Sequence, residues 1–278
     1  MISENLKSIS LRFVWMISLM AIVYSCGRPD SELTVVYSDA IIPEDVVAIT
    51  DSLVKPIIYK RPIPLGVLDI DERKQTFIDM FLPSILIVRY KLNRTLRKVE
   101  LIALKDSSQL ERSDRIFIES LFAKYKTNDL KELQEKLLPH PTSLVLAQAA
   151  IESAWGTSRF YTEACNPFGI WSFDEHEPRI RANIPRPEGT VYLRKFSNIY
   201  QSIEEYYFTI ATGPYQKFRK NRMNTTDVYK LIHHLDRYSE MGSFYINQMS
   251  EVIRTNNLTM YDHFQIDPAY IKKRIIVD

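Results

Sequence analysis

One carboxylate stands out by where it falls. Residues 141–151 read Pro-Thr-Ser-Leu-Val-Leu-Ala-Gln-Ala-Ala-Ile, a helical stretch apolar almost all round and so expected to be buried. Glu152 ends it and Ser153-Ala154-Trp155-Gly156 follows. A carboxylate ending a buried helix is costly unless it is paired or protonated. The negative end of the helix dipole disfavours its charge further. Both effects raise its pKa, which is what a general acid working near neutral pH requires. Trp155 offers an apolar wall of the kind that keeps such an acid protonated. The residues alone leave a second reading open, a structural carboxylate hydrogen-bonded to nearby backbone amides.

The composition points to the same block. The chain of 278 residues has 7 glycines, and Gly156, Gly169, Gly189 and Gly213 all lie between residues 156 and 213. In so glycine-poor a chain, each glycine marks a place where backbone geometry matters. Trp155 and Trp171 fall there too. Taken whole, the chain is ordinary globular protein, 45% hydrophobic and 25% charged. A formal charge of +2 argues against an electrostatically driven nucleic-acid binder. Two cysteines exclude a disulfide scaffold or a cysteine-built zinc site, and no cofactor or metal motif is present.

The elements that must hold the block follow from the pattern. Residues 1–25 carry Lys7 and Arg12 ahead of an apolar run of 12 residues, Phe13 to Tyr24, which suits a signal peptide rather than a membrane span of about 20. Val23-Tyr24-Ser25-Cys26 is similar to a bacterial lipoprotein processing site, with Cys26 as the lipidated residue. Residues 26–59 read as a tether, with prolines at 29, 43 and 56. A helical N-terminal region is expected over 60–138. There Asp69 caps a long helix whose apolar stripe runs from Phe77 to Val99, and Pro83 should kink it. Ser113 and Asp129 open two further helices. The site-bearing domain spans 139–260 and a tail 261–278. Lys217, Arg219, Lys220 and Arg222 read as a solvated helix end.

The block also resembles a known family. Gln148 to Ser158 is similar to the A-Q-A-x-x-E-S-x-W-G-x-S signature of the family 73 glucosaminidases. Asn166-Pro167-Phe168-Gly169-Ile170-Trp171 resembles that family's N-L-F-G-I element, with Pro167 replacing leucine. Phe196 to Tyr206 resembles a downstream aromatic stretch, and Gly213-Pro214-Tyr215 stands where the family has N-P-x-Y. Arg186-Pro187-Glu188-Gly189, with the Ile63 to Lys74 and Phe81-Leu82-Pro83 segments, resembles the Bax-type branch.

The resemblance implies a mainly α (α+β), lysozyme-like helical domain with a small β-hairpin lobe, and a helical region before it. Ile180, Ala182 and Ile184 alternate as a first hairpin strand, residues 185–189 turn, and 190–196 return. It implies a peptidoglycan hydrolase, an endo-β-N-acetylglucosaminidase with Glu152 as general acid. Ser153, Trp155, Asn166, Phe168, Gly169, Trp171, Tyr206 and Tyr215 become candidate sugar contacts, although each aromatic suits the core as well. The family's second glutamate, in a T-E-Y element, has no counterpart. Glu177, just before the hairpin, is the first choice for that role over Asp174, Glu175 and Glu188, and the substrate's acetamide group is the alternative. The expected partners are peptidoglycan strands and, through Cys26, a membrane, with no nucleic acid; the expected place is the outer membrane, facing the periplasm. The rivals are a non-catalytic peptidoglycan-binding lipoprotein, a lytic transglycosylase, and a protein-interaction scaffold built on the long helix.

Overall fold

The computed structural model describes residues 31–106, 108–182, 190–235, 238 and 242–273. The fold is mainly helical with short strand pairs, an α+β arrangement built around one helix. That helix, α1 (Ile70–Ala103), starts at Asp69, whose carboxylate accepts the backbone N–H groups of Asp71 and Glu72, both at 3.0 Å. Pro83 sits inside it without ending it.

The spacing of apolar residues predicts one buried face. The structure instead buries every residue from Phe77 to Val88. The reason lies in residues 31–59, which are folded from Ser31 onward and not a tether. β1 (Ser31–Leu33), β2 (Val36–Ser38), β3 (Leu53–Val54) and β4 (Ile57–Tyr59) cover one side of α1, and Val54, Ile57, Ile58 and Tyr59 are buried in the main core. Polar side chains fasten the segment: Ser31 Oγ and the Tyr90 hydroxyl lie 2.7 Å apart, and Asp79 accepts the Ile49 N–H at 3.3 Å. β2 and β4 pair in parallel.

Three helices complete the N-terminal half of the site's surroundings: α2 (Arg112–Tyr125), α3 (Leu130–Leu137) and α4 (Thr142–Ser153). α2 is capped from Glu111, two residues earlier than Ser113. Leu96 and Val99 of α1, Tyr125 of α2, and Leu133 and Leu137 of α3 form a second, smaller core. Then come α5 (Arg159–Ala164), the antiparallel hairpin β5 (Arg179–Arg181) and β6 (Tyr192–Arg194), α6 (Ile199–Thr212), α7 (Gln216–Arg222), α8 (Val228–Leu231) and α9 (Ser243–Thr255). The hairpin falls where the alternation puts it; its turn, residues 183–189 with Glu188, lies outside the described residues.

The expected tail is folded too. β7 (Gln265–Ile266) pairs in parallel with β3, and β8 (Ile271–Lys273) pairs antiparallel with β1. The main core runs without a break from Ala40 to Ile266, so residues 60–138 and 139–260 share one interior. Among the described residues no helix is long and apolar enough to cross a membrane.

Ile58→Ala is expected to cost about 2–5 kcal/mol of stability, the range for truncating a buried aliphatic side chain. Denaturant unfolding measures it; a neutral substitution would mean that residues 31–59 contribute nothing to the core.

Candidate active site

α4 carries the candidate acid, and its surroundings decide what that acid can do. The helix is buried along nearly its whole length. Its first turn is held from outside: Asp262 accepts both the Ser143 N–H and the Ser143 hydroxyl at 2.8 Å, and Arg89 of α1 bonds Thr142 Oγ1. The anionic Asp262 also complements the positive end of the helix dipole.

At the other end the chain leaves abruptly. Ala154, Trp155 and Gly156 have φ of 48°, 55° and 77°, three left-handed residues in a row. Ser153 stabilises the exit, its hydroxyl donating to Ala149 O at 2.5 Å and accepting the Gly156 N–H at 3.0 Å. Gly156 is required twice, by its φ and by space: a Cβ there would lie 2.9 Å from Leu65 Cδ1 and 3.3 Å from Phe77 Cδ2.

Glu152 therefore projects from the last helical turn beside a rigid corner. The residue is exposed by area, so one side is open to a ligand. Its carboxyl is nonetheless enclosed enough that burial pushes its pKa up, against a hydrogen bond from the Tyr245 hydroxyl that pulls it down. Tyr245, near the start of α9, is itself buried, and Tyr238 stacks on it at 5.7 Å with an interplanar angle of 16°. Tyr215 follows, 6.2 Å from Tyr238. Of these rings, Tyr245 and Tyr238 face the Glu152 carboxyl.

The other expected contacts divide. Ser153 is fully buried and holds the corner, so it touches no sugar. Trp155 turns edge-on to Phe77 at 5.4 Å, with Lys74 Nζ 5.6 Å from its ring centre. Asn166 is buried and saturated, donating to Ile170 O and Arg194 O and accepting the Ile170 N–H, each at 2.9 Å. It ties the loop to the hairpin instead of contacting ligand. Phe168 and Tyr206 are buried and stack on each other at 4.3 Å, so both are core. Gly169, at φ 64°, lets the chain turn toward Leu193. Trp171 is exposed, bridges to Leu193 of β6, and has the still more exposed Phe173 6.1 Å away.

Glu177 does not stand free. Arg194 Nε holds it at 2.8 Å, and another nitrogen of the same guanidinium holds Glu205 at 2.6 Å. Asp174 accepts the His176 N–H at 2.9 Å, and Glu175 is exposed. The basic run is not a solvated helix end throughout, because Arg219 and Arg222 are buried. Arg219 donates to Ile210 O at 2.9 Å and Gly213 O at 3.0 Å, closing the end of α6.

Tyr245 and Tyr238 escape sequence reasoning because nothing near them in the chain marks chemistry. The one available signal is Gln148, a polar residue in an apolar helix four positions before Glu152 and so on the same face. It donates to the Tyr245 hydroxyl at 3.1 Å. Among the described residues no three His, Cys, Asp or Glu side chains converge as a metal site.

Residues 127–258 match the glucosaminidase family model, described as mannosyl-glycoprotein endo-β-N-acetylglucosaminidase. The match takes in α4 with Glu152, the hairpin and α9, and it supports a glycoside hydrolase. The chain is similar to the Bax protein of Escherichia coli (strain K12), 26% identical over 207 residues, which cover 69% of this chain and 72% of that one. Among solved structures it is similar to the catalytic domain of the autolysin Auto from Listeria monocytogenes, at 21% identity and a TM-score of 0.39 over 59% of this chain and 95% of that one. A peptidoglycan hydrolase from Sphingomonas sp. A1 matches at 21% identity and 0.37, over 51% and 92%.

The raised carboxyl has a sign for stability. Between the ordinary carboxylate range and the folded-state value of Glu152, the folded chain holds more proton than the unfolded one, so stability falls as pH rises through that window. Glu152→Gln removes the slope. The variant is expected to melt higher than wild type at neutral pH, with the gap closing below about pH 4. Melting curves across pH test this, and an equal or lower melting temperature at neutral pH would refute it.

Proposed function

We propose that the chain is an endo-β-N-acetylglucosaminidase acting on peptidoglycan glycan strands, with Glu152 as general acid. The observation that carries this reading is the Glu152 carboxyl, raised by burial yet open on one side, at the helix end where the family signature places its glutamate. A protonated carboxyl there gives its proton to the glycosidic oxygen as the bond breaks, and the sugar passes through an oxocarbenium-like state. Burial keeps the acid protonated nearer to neutral pH, against the Tyr245 hydrogen bond. The ion pair of Glu177 with Arg194 supports assistance by the substrate's own acetamide group over a second carboxylate. Trp171 and Phe173 offer the aromatic faces on the hairpin side.

The same ion pair gives a second reading its support, a glycan-binding protein without turnover. Glu152→Gln separates the two. Muropeptide release from sacculi should fall about 10²- to 10⁴-fold, the usual worth of general acid catalysis, while sacculus binding persists. A wild-type protein that releases nothing would leave the binding reading. Mass spectrometry of the products tests the bond: reducing-end N-acetylglucosamine supports the proposal, and anhydro-muramyl ends mean a lytic transglycosylase.

We further propose lipidation at Cys26 and anchoring in the envelope, the site facing the periplasm; residues 1–30 lie outside the described residues. The support is the apolar run ahead of Cys26. Cys26→Ser should move the protein out of the membrane fraction or leave it unprocessed, and unchanged, processed membrane protein would rule the anchor out.

A further inference from the structure

Behind Glu152 runs a file of buried polar groups that the proposed reaction does not itself use. Tyr245 bonds Glu152. Gln148 Nε2 donates to the Tyr245 hydroxyl at 3.1 Å, and the Tyr206 hydroxyl donates to Gln148 Oε1. His140 Nε2 lies 3.0 Å from the Tyr206 hydroxyl, and Arg222 Nη1 lies 3.0 Å from His140 Nδ1. Arg222 also donates through Nη2 to Glu135 O at 2.5 Å. The members come from α4, α6, α7, α9 and the loop before α4. Gln148, His140, Tyr206, Tyr245 and Arg222 are all buried.

The polarity of this file is fixed from its far end. A guanidinium only donates, so His140 Nδ1 must accept. Burial, together with the charges of Arg222 and Arg89, holds His140 well below its ordinary pKa, so the ring is neutral and its one proton is on Nε2. Burial pushes Arg222 down to about 10, which leaves it charged at neutral pH. Nε2–H then donates to the Tyr206 oxygen, and the Tyr206 proton must go to Gln148 Oε1. That fixes which way the Gln148 amide faces and turns its NH₂ toward the Tyr245 oxygen. The Tyr245 proton has one place left, the Glu152 carboxyl.

We propose that Arg222 and His140 are positioning residues for the acid, setting through Tyr206 and Gln148 the direction in which the Tyr245 hydroxyl donates. The proposal rests on Glu152 being the general acid. Its consequence is specific: if the file is broken, the Gln148 amide is free to turn, its oxygen takes the Tyr245 proton, and Glu152 loses a donor. The titratable groups facing Glu152 among the described residues are Tyr245 and Tyr238. Those facing His140 are Arg222, Arg89, Tyr206 and the stacked Tyr207.

The test is the pH dependence of turnover on soluble peptidoglycan fragments, with folding checked by melting. Tyr206→Phe keeps the ring and removes the link. A carboxyl that loses a hydrogen bond to its charged form is harder to ionise, so the alkaline limb of the rate should move to higher pH. The maximal rate should fall about tenfold, roughly the worth of one hydrogen bond to a charged group, with KM little changed. His140→Leu should do the same. His140→Gln should restore the wild-type limb, because an amide can accept from Arg222 and donate to Tyr206 in the same sense. If His140→Leu does not fold, Tyr206→Phe decides alone. The proposal is overturned if Tyr206→Phe leaves the limb in place while Glu152→Gln is inactive. An active Glu152→Gln also overturns it, but by removing the acid on which it rests, and so separates the two failures.

Discussion

A helix with no exposed face has nowhere to leave a polar group unpaired, and α4 carries several. Thr142, Ser143, Gln148 and Ser153 are all fully buried. An unsatisfied group in such a place costs about 1–3 kcal/mol, a large share of a domain's net stability. Each therefore draws a partner from elsewhere in the chain: Arg89 to Thr142, Asp262 to Ser143, Tyr206 and Tyr245 to Gln148, and Gly156 to Ser153. Much of the architecture around the site answers that demand. Glu152 is the exception, its residue exposed while its carboxyl stays desolvated, and that imbalance is what makes it chemically different from its neighbours.

The N-terminal half serves the same end from beneath. Phe77 of α1 and Leu65 before it fill the space under Gly156, so the left-handed corner after Glu152 rests on the long helix. Phe77 stacks on Phe81 at 4.0 Å, and Tyr161 of α5 reaches over to donate to Ile63 O at 3.2 Å. Residues 31–59 cover α1 in turn. The segment expected to be a tether is thus two layers away from the acid and part of what keeps its helix end still.

What the sequence makes legible is local. Asp69 and Asp129 cap the helices they are expected to cap, and Gly156 sits where only glycine fits. The hairpin shows in its alternation, and Glu152 in its conflict with its own helix. Roles that depend on distant partners do not show. Phe168 and Tyr206 carry the same rings whether they face sugar or each other. Arg219 and Arg222 read as a charged surface because nothing within the run reveals the carbonyls and the His140 ring that receive them. Glu177 looks free until Arg194, seventeen positions on, takes it. Short strands such as β3 and β7 have two residues each, too few to register as a period.

Two strand pairs join the early and late segments of the described fold. β1 meets β8 and β3 meets β7, contacts that link residues more than two hundred positions apart. Such contacts return energy only after a very long loop has been closed. During synthesis, Tyr245 and the strands β7 and β8 arrive after the rest of the site. Glu152 emerges long before Tyr245, the ring that hydrogen-bonds it, so the site is incomplete until the later residues follow. The fold waits on β7 and β8 to lock β3 and β1 into place.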